Sequence, residues 1–267
     1  MFTVKALKIA IVQMNCVLAD KAANFAKVTK MIAENADMKA QLIILPELFS
    51  TGYMVSALDR ELAEVIPGPT TEWLTELAKQ YHVYFAAAII ELGEDGILYD
   101  TAIIVGPDGY MDKYRKIHLW GKEPERFARG AALPVFNLPF ATIGLQICYE
   151  IGFPEPARVL TQAGAEIIVY TSAFGKARSY AWDIASRSRA LENGVYVLAC
   201  NRIGAEEDAV FGGLSRVVAP NGDIVAGVSA DAECVISAVI DLDAIAEQRR
   251  AIPYLRDLYT KLILEKF

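Results

Sequence analysis

The sequence predicts an α/β fold of two mixed sheets covered by helices, and three observations carry that prediction. Apolar runs of strand length alternate with stretches whose apolar residues recur every three or four positions. The strand–helix–strand order of the first half returns in the second. Between them lie turn sequences flanked by strand-like runs, which read as β-hairpins. A doubly wound single sheet is the alternative on the same pattern.

Residues 7–14 form the first strand. Lys8 interrupts this apolar run, Gln13 ends it, and no small-residue cleavage site follows, so it is not read as a signal segment. Asp20 is placed to cap a helix with Phe25, Val28, Ile32 and Ala36 on one face. Residues 42–45 are a short strand buried on both faces and stopped by Pro46. Thr70 or Thr71 starts a helix that turns Trp73, Leu74, Leu77 and Ala78 inward, and a strand over 83–90 follows. Glu94-Asp95-Gly96, Pro107-Asp108-Gly109 and Pro220-Asn221-Gly222-Asp223 are the hairpin turns. The second half gives a strand over 142–147, a helix over 154–163 ended by Gly164, and a strand over 166–170. A helix over 177–192, ended by Asn193-Gly194, and a strand over 195–200 complete it. No low-complexity stretch or linker interrupts the chain, so residues 1–267 read as one domain.

Composition narrows the function. With 54% apolar and 22% charged residues the chain has the material for a sizeable core and is not disordered. A net charge of −7 argues against a nucleic-acid binder. No run approaches the ~18 apolar residues of a membrane span. Cys16, Cys148, Cys200 and Cys234 are scattered without a CxxC pair, as expected of reduced thiols in a cytoplasm.

Cys148 ends an apolar strand and precedes Gly152 and Pro154, a bend leading into a helix. A thiol there lies near a helix N-terminus, where the dipole favours thiolate, although free cysteines are more often buried and inert. Cys200 and Cys234 sit in apolar strands and read as core. Glu47 stands at the end of a buried strand. Unpaired, its carboxyl would be raised by desolvation towards the range of a general base; the alternative is a glutamate that caps or pairs. Lys116 lies in a basic run that reads by itself as a solvated face. His82 reads as structural and His118 as either functional or a polar strand end; His and Cys are too few to propose zinc.

Together these segments resemble the nitrilase superfamily, the carbon–nitrogen hydrolases with a Glu–Lys–Cys triad. Leu45-Pro46-Glu47 with Gly52-Tyr53 resembles the glutamate motif, and Tyr114-Arg115-Lys116-Ile117-His118-Leu119 the lysine motif. Ile147-Cys148-Tyr149-Glu150 with Phe153-Pro154-Glu155 resembles the nucleophile motif. Supporting segments span nearly the whole chain, among them Arg187 to Asn193 and Gly213-Leu214-Ser215. Glu123, with Phe127 and Gly130, fits the spacing of a second family glutamate; Glu125 is its near neighbour, and Arg129 replaces a common proline. Glu150 stands where Asp is frequent, a change expected to leave the chemistry intact.

The resemblance implies a four-layer α-β-β-α sandwich of two mixed sheets with helices on both outer faces. It implies Glu47 as general base, Cys148 as nucleophile, and Lys116 with the Tyr149 backbone N–H as the oxyanion site, Glu123 orienting the lysine or the substrate. Tyr53, Trp120, Tyr149, Ala173 and Phe174 would line the pocket. The implied reaction turns a small aliphatic amide or ω-amide into acid and ammonia through a thioester, with Arg178 available to a distal carboxylate. An N-carbamoyl hydrolase and a nitrilase are the alternatives, and a non-catalytic binding or scaffold member the contrasting class. Cys-Tyr-Glu and the short chain favour the amidase branches. No metal or organic cofactor is implied; the partners are substrate, water and a second copy of the chain. The tail over 241–267 resembles an arm packed across a homodimer, or else is a terminal helix on its own domain.

Overall fold

The computed structural model describes residues 6–229 and 231–259. Two six-stranded sheets form its centre. The first runs, edge to edge, through Cys234–Asp241, Ala6–Gln13, Leu42–Ile44, Tyr84–Leu92, Leu98–Gly106 and Gly109–Arg115. The second runs through Val135–Asn137, Thr142–Ile147, Ile167–Ser172, Tyr196–Asn201, Arg216–Val218 and Ile224–Gly227. Read in these orders, both sheets show the same sequence of pairings: antiparallel, parallel, parallel, antiparallel, antiparallel. The repeated strand–helix order thus reflects two halves of like topology, and the single doubly wound sheet is excluded.

The period-two alternation of a strand distributes the first sheet between two cores. Ile9, Ile11, Leu42 and Ile44 pack with Ile143, Leu145 and Ile147 of the other sheet. Their neighbours Ala10, Val12, Ile43 and Leu45 pack with Val28, Ile32, Leu74 and Leu77 of helices Lys21–Glu34 and Pro69–Tyr81. Helices Pro154–Gln162 and Ser179–Asn193 cover the second sheet, which gives the α-β-β-α layering. Strands buried on both faces read as continuous apolar runs, and these do.

Local signals set the ends. The Ala23 N–H donates to the Asp20 carboxylate at 2.9 Å, the expected cap. That helix stops at Glu34, so Ala36 falls in a one-turn 3-10 helix beyond it rather than on the helix face. The Asn35 amide donates to the Met31 carbonyl at 2.8 Å and competes with continuation. The second helix opens at Pro69, where the Glu64 carboxylate accepts the Thr70 N–H at 2.7 Å. All three turn sequences close hairpins, between Leu92 and Leu98, Gly106 and Gly109, and Val218 and Ile224.

After the last strand, helix Asp243–Ala251 is tied to its own domain through Arg249, which donates to the Gly194 carbonyl at 3.1 Å. Residues 260–267 of the expected arm lie outside the described residues. Among the described residues no helix is long and apolar enough to cross a membrane.

Candidate active site

Parallel strands deliver their C-terminal ends to one edge of the sandwich. Glu47 follows Leu42–Ile44, Cys148 follows Thr142–Ile147, and Ala173 follows Ile167–Ser172. Leu48 (φ 47°) and Cys148 (φ 49°) both take the left-handed conformation that non-glycine residues rarely adopt. Each turns the chain sharply just past a strand, where Glu47 and Cys148 leave the sheet at its edge.

Lys116 arrives from Gly109–Arg115 by alternation. Lys113 and Arg115 turn to one side and pair with Glu91 at 2.6 and 2.7 Å, while Tyr114 and Lys116 turn inward and are buried. The basic run is therefore two faces, and only one of them meets solvent. The Lys116 carbonyl accepts the Gly130 N–H at 2.8 Å. A Cβ at Gly130 would stand 2.1 Å from the Arg115 carbonyl oxygen, so the expected glycine is a close-approach position.

At the centre, the Lys116 ammonium donates to Glu47 Oε1 at 2.6 Å, Glu123 Oε1 at 2.8 Å and Asp100 Oδ2 at 3.2 Å. The other Glu47 oxygen accepts the Ala173 N–H at 2.7 Å. Glu123 also accepts the Tyr53 hydroxyl at 2.5 Å and the Trp120 N–H at 2.7 Å. Glu125, two residues on, is exposed, and of the two it is Glu123 that meets Lys116. Oxygens of Glu47, Asp100 and Glu123 lie within 4.8 Å of one another, and the cation they surround is the Lys116 ammonium. Asp100 is absent from the sequence-derived candidates. The signal for it is a lone carboxylate in Leu98–Gly106, a strand buried along its whole length.

Burial acts to raise the Glu47 carboxyl, but the Lys116 charge and hydrogen bonds from Asp100, Lys116 and Cys148 outweigh it and hold the group below the usual range. Of the two readings its position allows, Glu47 is therefore the paired carboxylate and not the unpaired, raised one. Burial would lower Lys116, yet the carboxylates of Glu47, Glu123 and Asp100 push it well above an ordinary lysine. Burial, and then the negative Glu47, push the Cys148 thiol well above a free cysteine. The thiolate-favouring pull expected of a helix N-terminus is thus outweighed. Cys148 opens a one-turn 3-10 helix, Cys148–Gly152, and the α-helix begins only at Pro154. The resting pair is thiol and carboxylate.

Two buried side chains hold the turn that carries Cys148. Glu150 accepts the Tyr114 hydroxyl at 2.6 Å and the N–H groups of Ile117 at 2.9 Å, His118 at 3.1 Å and Ile147 at 2.8 Å. It fastens the lysine strand to the residue before Cys148, a role its motif position does not announce. Arg189 donates to the Ile151 carbonyl at 3.1 Å from the covering helix. The Tyr149 N–H lies in the first turn of the short helix, where N–H groups lack an intrahelical acceptor. Asn201 fixes the opposite wall, accepting the Phe174 N–H at 2.7 Å and donating to the Phe174 carbonyl at 3.1 Å.

A cavity of about 550 Å³ opens on Cys148, lined by Tyr53, Trp120, Tyr149, Ala173 and Phe174 as expected, and by Arg178 and Phe211. The Arg178 guanidinium lies 4.5 Å over the Trp120 ring and 5.9 Å from that of Phe174. Among the described residues no carboxylate pairs with it. Glu206, buried and paired with Arg202, accepts the N–H groups of Tyr53 at 2.9 Å and Met54 at 2.8 Å and so fixes the cavity rim. His118 stacks on Phe153 with ring centroids 4.0 Å apart and His82 ends helix Pro69–Tyr81; neither lines the cavity.

The sequence model of the carbon–nitrogen hydrolase family matches residues 8–250. A nitrilase of Pyrococcus abyssi is 38% identical over 91% of this chain and 93% of its own. An omega-amidase of Xenopus tropicalis is 38% identical over 90% of this chain and 92% of its own. A solved Saccharomyces cerevisiae structure, described as a member of branch 10 of the nitrilase superfamily, superposes with a TM-score of 0.88 at 30% identity, covering 96% of this chain and 97% of that one.

Proposed function

The chain belongs to the carbon–nitrogen hydrolase family, an enzyme acting on amide C–N bonds outside peptides, and from that premise we propose that its substrate is an ω-amide, the monoamide of a short dicarboxylic acid. The observation that carries this reading is Arg178: a half-buried guanidinium in the wall of the cavity that holds Cys148, stacked on aromatic rings and without a carboxylate partner among the described residues. A planar guanidinium matches a carboxylate bidentately, and aromatic stacking holds it in place.

The chemistry follows from the resting thiol–carboxylate pair. Glu47 takes the Cys148 proton as sulfur attacks the amide carbon, and the carbonyl electrons move onto oxygen. The Lys116 ammonium and the Tyr149 N–H hold that oxyanion, each such donor being worth ~3–4 kcal/mol in a transition state. Glu47 returns the proton to nitrogen, the C–N bond breaks, and ammonia leaves an acyl thioester on Cys148. Water then attacks the thioester carbon, passing its proton to Glu47 and on to the departing sulfur. Glu123 keeps Lys116 aimed at the reacting carbon. The enzyme works where its nucleophile stays a free thiol, a reducing cytoplasm; all four cysteines are unpaired.

The same reading makes the chain a single hydrolase domain that pairs with a second copy. Tyr180 and Ile184, one turn apart on Ser179–Asn193, and Val159 on the adjacent helix are exposed apolar residues that such a pairing would cover. Sedimentation at equilibrium tests that point.

The activity test is ammonia release from succinamate set against butanamide, with Cys148→Ala beside the wild type. Preference for the acid-terminated amide by about tenfold or more in kcat/KM supports the reading. Equal use of both amides removes Arg178 from substrate choice, and release by the alanine variant removes Cys148 as nucleophile.

A further inference from the structure

We propose that Asp100 is a carboxylic acid in the working enzyme and that, as a positioning residue, it donates its proton in a hydrogen bond to Glu47 and so sets the strength of that base. The proposal rests on the reading of Glu47 as the general base.

Counting charges and donors leads to it. Glu47, Asp100 and Glu123 surround one ammonium, all four side chains being buried. Three ionised carboxylates against one cation would leave two uncompensated negative charges on buried side chains, which interiors avoid by keeping a proton. The group with the fewest donors keeps it. Glu123 accepts from Lys116, the Tyr53 hydroxyl and the Trp120 N–H. Glu47 accepts from Lys116 and the Ala173 N–H and has the Cys148 thiol against it. Asp100 accepts from Lys116 alone, at 3.2 Å, and its buried Oδ1 has no donor to it among the described residues. An oxygen without a donor is costly for a carboxylate, whereas on a carboxylic acid it can carry the proton and give it to Glu47.

The surroundings agree. Burial raises Asp100 well above an ordinary carboxyl; the Lys116 ammonium opposes this, and the negative Glu47 and Glu123 add to it. The next cation, Arg126, is engaged by Asp59 at 2.7 Å through two nitrogens. The bond from Asp100 favours ionised Glu47. Such a base accepts the thiol proton only as sulfur bonds to carbon, and surrenders it readily to the leaving nitrogen. Position follows from sheet register: the Lys116 N–H donates to the Asp100 carbonyl at 2.9 Å, extending the pairing of their strands and setting the two side chains together.

Infrared difference spectra of wild type against Asp100→Asn, in H₂O and D₂O at about pH 8 where ordinary carboxyls are ionised, read the proton directly. The expected result is a carbonyl band of a protonated carboxyl, shifted in D₂O and missing from the variant. A wild-type spectrum without that band overturns the proposal, and this measurement stands even if the variant does not fold. The kinetic arm compares Asp100→Ala with Asp100→Asn. Alanine removes the donor and should lower kcat by ~10- to 100-fold with the acid limb of the pH profile moved upward; asparagine, a donor that cannot ionise, should recover most of the loss. An acid limb identical in wild type and Asp100→Ala overturns the link to Glu47. Full turnover by Glu47→Gln with the band still present would instead remove Glu47 as base and leave the Asp100 proton in place.

Discussion

The Lys116 ammonium and the Glu47 carboxylate meet at 2.6 Å with neither side chain exposed to solvent. A buried ion pair adds little net stability, because desolvation offsets the attraction, but removing one partner strands the other. Here one cation serves three carboxylates, so the lysine is a structural keystone as well as the proposed oxyanion ligand.

Lys116→Ala should therefore lose stability along with turnover. In the wild type Lys116 is the main influence holding Glu47 below the usual carboxyl range; without it, burial is opposed only by the remaining hydrogen bonds and the folded pKa should rise above the unfolded one. The folded variant then binds the extra proton, so its stability is retained at low pH and lost as pH rises through the raised value. At pH ~8 the deficit should approach ~3–5 kcal/mol, on the order of 10 °C in Tm, and narrow toward pH ~5. Thermal melts of both proteins across that range check it. A gap independent of pH would mean the carboxylates are not what Lys116 compensates.

Glu150→Gln tests the brace on the nucleophile turn. One Glu150 oxygen accepts from Tyr114, Ile117 and His118, and the other accepts only the Ile147 N–H. A glutamine that keeps the first oxygen in place turns its NH₂ toward the Ile147 N–H, donor against donor. The turn carrying Cys148 should loosen, with kcat down by ~10-fold or more and stability down by ~1–3 kcal/mol. Steady-state kinetics and a melt measure both; an unchanged kcat would show that the turn holds without this anchor.

What was legible in the sequence divides by range. Asp20 capping, the hairpin turns and the repeated strand–helix order are local signals, and they gave the two-sheet sandwich. Glu47, Lys116, Cys148 and Glu123 were legible as spaced motifs, and the fold brings Glu47, Lys116 and Glu123 into direct contact with the Cys148 thiol against Glu47. Asp100 was not, because its meaning depends on the register that sets it beside Lys116. Glu150 was read as a tolerant change since its donors come from a strand more than thirty residues away as well as from Ile147. The pull toward thiolate expected at the Cys148 bend does not govern its charge state, for a physical reason. A helix-end dipole is a weak, local influence, and burial beside a carboxylate overrides it.

Arg178→Met should separate substrate recognition from chemistry. The variant keeps the apolar stem that covers Trp120 and removes only the charged fork. Loss of a charge-assisted pair in a partly buried site is worth ~1.5–3 kcal/mol, so kcat/KM for an ω-amide should fall by ~10- to 150-fold, most of it in KM. A neutral amide of equal length should lose far less. Equal losses for the two amides would mean that Arg178 shapes the cavity and does not read the substrate.

Glu47→Gln should make the enzyme inert toward amides and its thiol easier to ionise. Burial and the Glu47 charge hold the proton on Cys148, and only Lys116 opposes them. Glutamine removes that negative charge at nearly constant shape and leaves the ammonium in place, so the Cys148 pKa should fall toward that of a free cysteine. Turnover needs a base that accepts and returns a proton, and should drop by ~10²- to 10⁴-fold. Alkylation by iodoacetamide needs only thiolate. Its rate, followed by mass spectrometry against pH, should rise at lower pH in the variant than in the wild type. If the midpoint does not move, or moves upward, Glu47 is not what keeps Cys148 protonated, and the thiol–carboxylate pair is the wrong resting state from which to begin the reaction.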